Sequence, residues 1–197
     1  MQGMSLRALW KRKAKCVAKF AGDAGWDAVL LSEVRADGEV VVWLGQDAGL
    51  VAIVQSEKAG IMLRGKLLKR WCEGGQKKKL SRRTVSVKVD GVVLVATYMP
   101  VSGSAGGGGG QGGVGGACER EEILVIGDVN AHVGSGSQRP GVCGRFGLRT
   151  SNATGEGWLE WLSENGLSWL TRSSATSGGE HGSRTSTASG MIWMALS

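Results

Sequence analysis

What this 197-residue chain has little of narrows the options first. Its four cysteines, Cys16, Cys72, Cys118 and Cys143, stand far apart, and no CxxC pair exists. With only two histidines besides, a structural zinc site lacks ligands at a workable spacing. Such cysteines read as free thiols of a reduced, intracellular protein. No apolar run approaches the roughly 20 residues needed to span a bilayer, so no membrane partner is expected. The N-terminus lacks the apolar segment of a signal peptide. It also carries no acid before Asp23. A transit peptide and a basic first helix both fit that feature, and the helix fits better.

The residues that are plentiful point elsewhere. Hydrophobic residues make up 42% of the chain, enough for a sizeable core. The 34 glycines cluster, so they mark particular segments rather than a flexible whole. Net charge is +7, which favours anionic partners such as nucleic acid, phosphates or a membrane surface without choosing among them.

Periodicity divides the chain into short elements. Residues 5–20, SLRALWKRKAKCVAKF, suit a helix with Leu6, Leu9, Val17 and Phe20 on one face and Ser5 as cap. Ala28 to Leu31 read as a buried strand with Glu33 at its end. Val40–Leu44, Leu50–Val54 and Gly60–Leu63 read as further strands. Thr84–Val89 alternates valines, Asp90-Gly91 is a strong hairpin signal, and Val92–Tyr98 returns. Residues 69–83 are expected to form a basic loop. Its Lys77, Lys78, Lys79, Arg82 and Arg83 could follow a nucleic-acid backbone, or could simply be solvated. Trp158, Leu159, Trp161 and Leu162 share a helical stripe over 155–165, read as core, with Gly166 beyond its end. The glycine run from 103 to 117 is expected to be a disordered insert, and 172–197 a disordered tail. Strands flanked by at least two helices make an α/β or α+β layered domain.

Chemistry gathers at strand ends. The stretch VIGDVNAHVG delivers Asp128, Asn130 and His132 at alternate positions after an apolar run. The bland reading is a turn, since Asp and Asn bond nearby backbone. Glu33 and Tyr98 also follow apolar runs. If neighbouring strands run the same way, all of these meet at one rim. Carboxylates, a phenol and an amide suit a hard cation and a phosphate.

Read in order, LLSEVRA, AGIMLRG, VDGVVLVATYMP, VIGDVNAHVG and GRFGLRTSNATGEGWLEWLSENGLSWL resemble the endonuclease/exonuclease/phosphatase family over residues 26–171. The resemblance is strongest to the endonuclease domains of non-LTR retrotransposons. It implies an α/β four-layer, two-sheet sandwich with helices on the outer faces, and hydrolysis of DNA phosphodiesters. Glu33 would then bind magnesium (Mg2+) or manganese (Mn2+). Asp128 and Asn130 would serve the water and the phosphate, and Tyr98 would lie against the scissile phosphate. His132 belongs to the motif without a catalytic role. A retroelement role would place the protein in the nucleus.

The chain departs from the family pattern in several places. No Asn precedes Asn130, the glycine run replaces a helix, and no Asp follows Asp128. The domain, 1–171, is therefore expected to be incomplete at both ends and its activity weak or absent. The alternatives are a non-catalytic nucleic-acid or protein-binding remnant, or a pseudogene product. The stretch MIWMA, shifted by one base, encodes an acidic Asp-(Leu/Met)-Asp-Gly strand of the kind the family has at this distance. Residues 182–197 are thus expected to be translated out of frame.

Overall fold

A computed structural model describes residues 6–34, 41–45, 49–99, 122–134, 139–143 and 150–168. A first helix, α1 (Leu6–Asp23), leads into strand β1 (Ala28–Ser32). Then come β2 (Val41–Leu44), β3 (Val51–Gln55) and β4 (Ala59–Arg64). These strands form an antiparallel sheet in the order β1-β4-β3-β2. Helix α2 (Gly65–Gly74) crosses to a second sheet of β5 (Gln76–Lys79), β6 (Thr84–Val89), β7 (Val92–Tyr98) and β8 (Glu122–Asp128). Its order is β5-β6-β7-β8, antiparallel except for the parallel pair β7 and β8. Helix α3 (Ala153–Glu164) follows.

The two-residue period of each strand sorts its side chains into layers. Ala59, Ile61 and Leu63 of β4 pack inward against Val85, Val87, Leu94 and Ala96 of the second sheet. Met62 faces the other way and meets Ala14 and Ala18 of α1. Val93, Val95, Ile123 and Val125 line the outer face of the second sheet, where α3 covers them with Trp158, Leu159, Trp161 and Leu162. The order of layers is helix, sheet, sheet, helix, as expected from the sequence. Burying a side chain such as Leu159 or Leu162 in the α3 layer contributes about 1.5–3 kcal/mol each.

Local signals explain most boundaries. Asp90 and Gly91 both have positive φ, 51° and 81°, the requirement of a tight hairpin turn between right-twisted strands. The Asn152 side chain accepts a hydrogen bond from the Gly155 amide at 2.8 Å and so caps α3.

Two expectations are corrected. Residues 69–83 are not one loop: they hold the end of α2, strand β5 and a short turn. Strand β5, QKKK, has no apolar residue to reveal it and is held by its ladder to β6. Helix α2 buries only Leu68 and Trp71, too few to show a period. In α1, Phe20 leaves the buried face and is 61% exposed, edge-on to Trp26. The buried stripe is Ala14, Ala18 and Ala21, small residues that let the helix lie close on the sheet. The insert 103–117, the tail 172–197 and the shifted frame at 182–197 lie outside the described residues. No described helix is long and apolar enough to cross a membrane.

Candidate active site

Strands β7 and β8 run parallel with Tyr98 opposite Asp128, so both end at the same level. Gly127 permits their close approach, since a Cβ there would collide with the Thr97 carbonyl. Beyond the strand ends two hydrogen bonds join the two segments, and a third closes a turn after β8. The Met99 amide donates to the Asp128 carbonyl at 2.7 Å, and Asn130 Nδ2 donates to the Met99 carbonyl at 2.6 Å. The Asn130 amide donates to Asp128 Oδ1 at 3.1 Å. This last bond is the turn of the bland reading, and it fixes the carboxylate beside the amide side chain.

Glu33 arrives from the other sheet. It follows β1, and Tyr98 Oη donates to Glu33 Oε1 at 3.1 Å across the sandwich. The rim is thus assembled from strand ends of both sheets rather than from neighbours in one. Glu33 and Asn130 have φ of 54° and 45°, left-handed conformations that cost an ordinary side chain about 1–2 kcal/mol. Among the described residues the only other non-glycine case is Asp90, in its hairpin turn. Strain of this kind concentrates where side-chain placement matters.

This architecture has known counterparts. It is similar to the endonuclease domain of TRAS1, a telomere-specific non-LTR retrotransposon, with a TM-score of 0.50 at 15% identity over 91% of this chain and 77% of that one. A 3′-5′ exonuclease from Neisseria meningitidis, NExo, gives 0.52 at 15% identity over 95% and 83%. A structure of NExo as a 3′ phosphatase, bound to a product DNA hairpin, gives 0.50 at 13% identity over 94% and 82%. The chain has the endonuclease/exonuclease/phosphatase fold. No family model matches the sequence, and no curated protein matches it. At these identities the likeness is one of fold.

On this sandwich the charged groups are arranged around one phenol. Burial raises the Tyr98 pKa above its ordinary value; the hydrogen bond to Glu33 and the charges of Glu33 and Asp128 raise it further. The Arg83 guanidinium opposes them. Arg83 also accepts the Tyr98 amide on its carbonyl at 2.9 Å, so this basic residue belongs to the rim itself. Lys58 was not singled out in the sequence. Its carbonyl accepts from the Val34 amide and its amide donates to the Arg82 carbonyl, both at 3.2 Å, which puts it between the Glu33 segment and the basic turn. Arg82 and Lys79 pair with Glu57 at 2.8 and 4.0 Å. Lys77 and Lys78 lie further back along β5 and are exposed.

Asn152 is a second residue missed in the sequence. Its amide donates to the His132 carbonyl at 3.1 Å, and its Oδ1 accepts from the His132 amide at 3.2 Å. Gly155 is required beside it, because a Cβ would strike the same carbonyl. Asn152 therefore caps α3 and anchors the segment after Asp128 in one residue. The signal was present as an Asn three residues before a glycine, yet its long-range partner is not readable from spacing. His132 takes part through its backbone, and its side chain is exposed.

The donor set fits a hard cation. Glu33 and Asp128 supply carboxylate oxygens, with the Asn130 amide oxygen and the Tyr98 phenol at the same rim. The described residues contain no group of three or more His, Cys, Asp or Glu side chains. Magnesium keeps several waters and binds through one or two carboxylates, so oxygen donors of this kind suit it better than zinc, which favours nitrogen and sulfur.

Proposed function

We propose that this chain is a divalent-metal-dependent phosphodiester hydrolase that nicks DNA. The observation that carries the reading is the meeting of Glu33, Tyr98, Asp128 and Asn130, from both sheets, at one rim beside Arg83. Glu33 would hold magnesium or manganese, which would supply Lewis-acid polarisation of a phosphoryl oxygen when bound. Asp128 orients the attacking water and takes its proton. Asn130, tied to Met99 through Nδ2, keeps an amide proton for a phosphate oxygen. Tyr98 is a protonated phenol at neutral pH, and its single hydroxyl proton, which goes to Glu33 Oε1 here, would turn to the substrate phosphate once Glu33 engages the metal. Arg83 adds positive charge where negative charge grows in the transition state. DNA as substrate, and a place of action in the nucleus, follow from the resemblance to retrotransposon endonuclease domains.

A low rate is expected, because the sequence has no Asn before Asn130 and no Asp after Asp128 to complete the set the resemblance implies. A supercoiled-plasmid nicking assay tests the reading. The chain is run with magnesium or manganese, with EDTA, and as Glu33→Ala and Asp128→Ala. Metal-dependent nicking lost in both variants supports it. Folded protein without nicking favours the second reading, a non-catalytic nucleic-acid-binding domain, for which Arg82, Arg83 and the lysines of β5 are the supporting observation.

A further inference from the structure

The flank opposite β1 and β8 holds a feature the site does not use. Here the edge strand β2 of the first sheet and the edge strand β5 of the second lie on the same side of the sandwich. Val42 and Leu44 of β2 pack under α1, so by alternation Val41 and Trp43 face the space between the sheets. Val41 packs there against the inter-sheet core, whereas Trp43 remains 50% exposed. Its indole lies 6.2 Å from that of Trp71, centroid to centroid, and Trp71 Nε1 in turn donates to the Gln76 carbonyl of β5 at 3.1 Å.

The register of β5 divides its lysines. Lys77 is paired with Val87 and Lys79 with Val85, and both valines belong to the inter-sheet core. Paired residues share a face, so Lys77 and Lys79 stand on the same inner side as Trp43. Lys78 is paired with Ser86 and stands on the outer side. An indole and two lysines therefore stand along one flank, on either side of Trp71. At its Lys79 end this flank reaches Arg82 through the shared carboxylate of Glu57, next to the rim.

We propose that this flank binds single-stranded nucleic acid, with a base stacked on the exposed Trp43 and backbone phosphates on Lys77 and Lys79. An aromatic platform beside a cationic track is the combination such strands require, because every base has a π-face and every linkage a charge. Stacking on Trp43 needs a base whose face is free, which a single strand offers and a base-paired duplex does not. The site goes beyond the hydrolase reading and does not depend on it.

Binding is measured by fluorescence anisotropy of labelled oligothymidylate, in EDTA and on an Asp128→Ala background, so that loss of catalysis cannot imitate loss of binding. Trp43→Ala should weaken binding about ten-fold, and Trp43→Phe should restore most of it. Lys77→Gln and Lys79→Gln should each reduce the slope of log affinity against log salt by about 0.7. Lys78→Gln carries the same change of charge on the wrong face and should leave the slope near that of the parent. Equal slopes for Lys77→Gln and Lys78→Gln overturn the proposal, and this comparison holds even if Trp43→Ala fails to fold. Equal affinity for a hairpin duplex also overturns it, as does displacement by an acidic peptide at lower concentration than by unlabelled oligothymidylate.

Discussion

At the end of the sandwich away from the site, left-handed backbone is carried mainly by glycine: Gly25 before β1, Gly49 before β3, Gly65 after β4 and Gly91 between β6 and β7. Asp90, beside Gly91, is a turn residue that tolerates this conformation. At the site end the same conformation falls on Glu33 and Asn130. Glycine relieves strain because it has no Cβ, but it also brings no chemistry. The far end is free to use it. The site end needs a carboxylate and an amide where the chain turns, so it retains the strain. Left-handed residues that carry functional groups are thus a local marker of the site, distinct from turns that only reverse the chain.

The comparison can be broken most sharply at Asp128. Asp128→Ala should lower metal-dependent nicking by about a thousand-fold, while Asp90→Ala at the far end leaves the rate unchanged. Plasmid nicking over a range of enzyme concentrations reads both. The next largest effect is on stability. Gly127→Ala drives a Cβ into the Thr97 carbonyl and should cost about 3 kcal/mol in urea unfolding. Gly65→Ala meets only the end of the Asp27 side chain, at a φ of 58°, and should cost about 1–2 kcal/mol. Glu33→Gly has the opposite sign. It should raise the urea midpoint by an amount equivalent to about 1 kcal/mol while abolishing nicking. A loss of stability there would show that Glu33 is not strained.

The smallest expected effect is on Tyr98. It is the single tyrosine of the chain, so tyrosinate absorbance reports it alone. Its titration midpoint should lie above the ordinary phenol value, chiefly through burial. Glu33→Gln should lower the midpoint and Arg83→Ala should raise it. The sign for stability follows from the raised pKa. The Tyr98 contribution is intact below the phenol pKa of the unfolded chain and is lost as pH rises through that of the folded one. Urea midpoints of the parent should therefore fall in that alkaline window, and less so for Glu33→Gln.

Much of this molecule is legible locally. Alternating valines over Thr84–Val89, the Asp90-Gly91 turn and the apolar run before Gly127 each state their conformation within a few residues. The bounds of β3, β4, β6 and β7 follow from such runs. The candidate site was legible too, as polar residues that each follow a buried strand. Strand β5 was not, because its residues are all exposed and its conformation is imposed by hydrogen bonds to β6. Phe20 misled because helical periodicity identifies an apolar face without saying which stripe the sheet accepts; alanines gave the closer fit.

The sequence by itself determined the strands other than β5, the turn and the identity of Glu33, Tyr98, Asp128 and Asn130 as the polar groups at strand ends, since alternation and turn chemistry act over a few residues. Only the tertiary structure decided that Glu33 reaches Tyr98 from the opposite sheet, that Arg83 belongs to the rim, that Asn152 anchors the segment after Asp128, and that Lys77 and Lys78 face opposite ways. These relations depend on sheet order and register, which are set by the packing of two buried faces against each other and by backbone ladders that carry no side-chain signature.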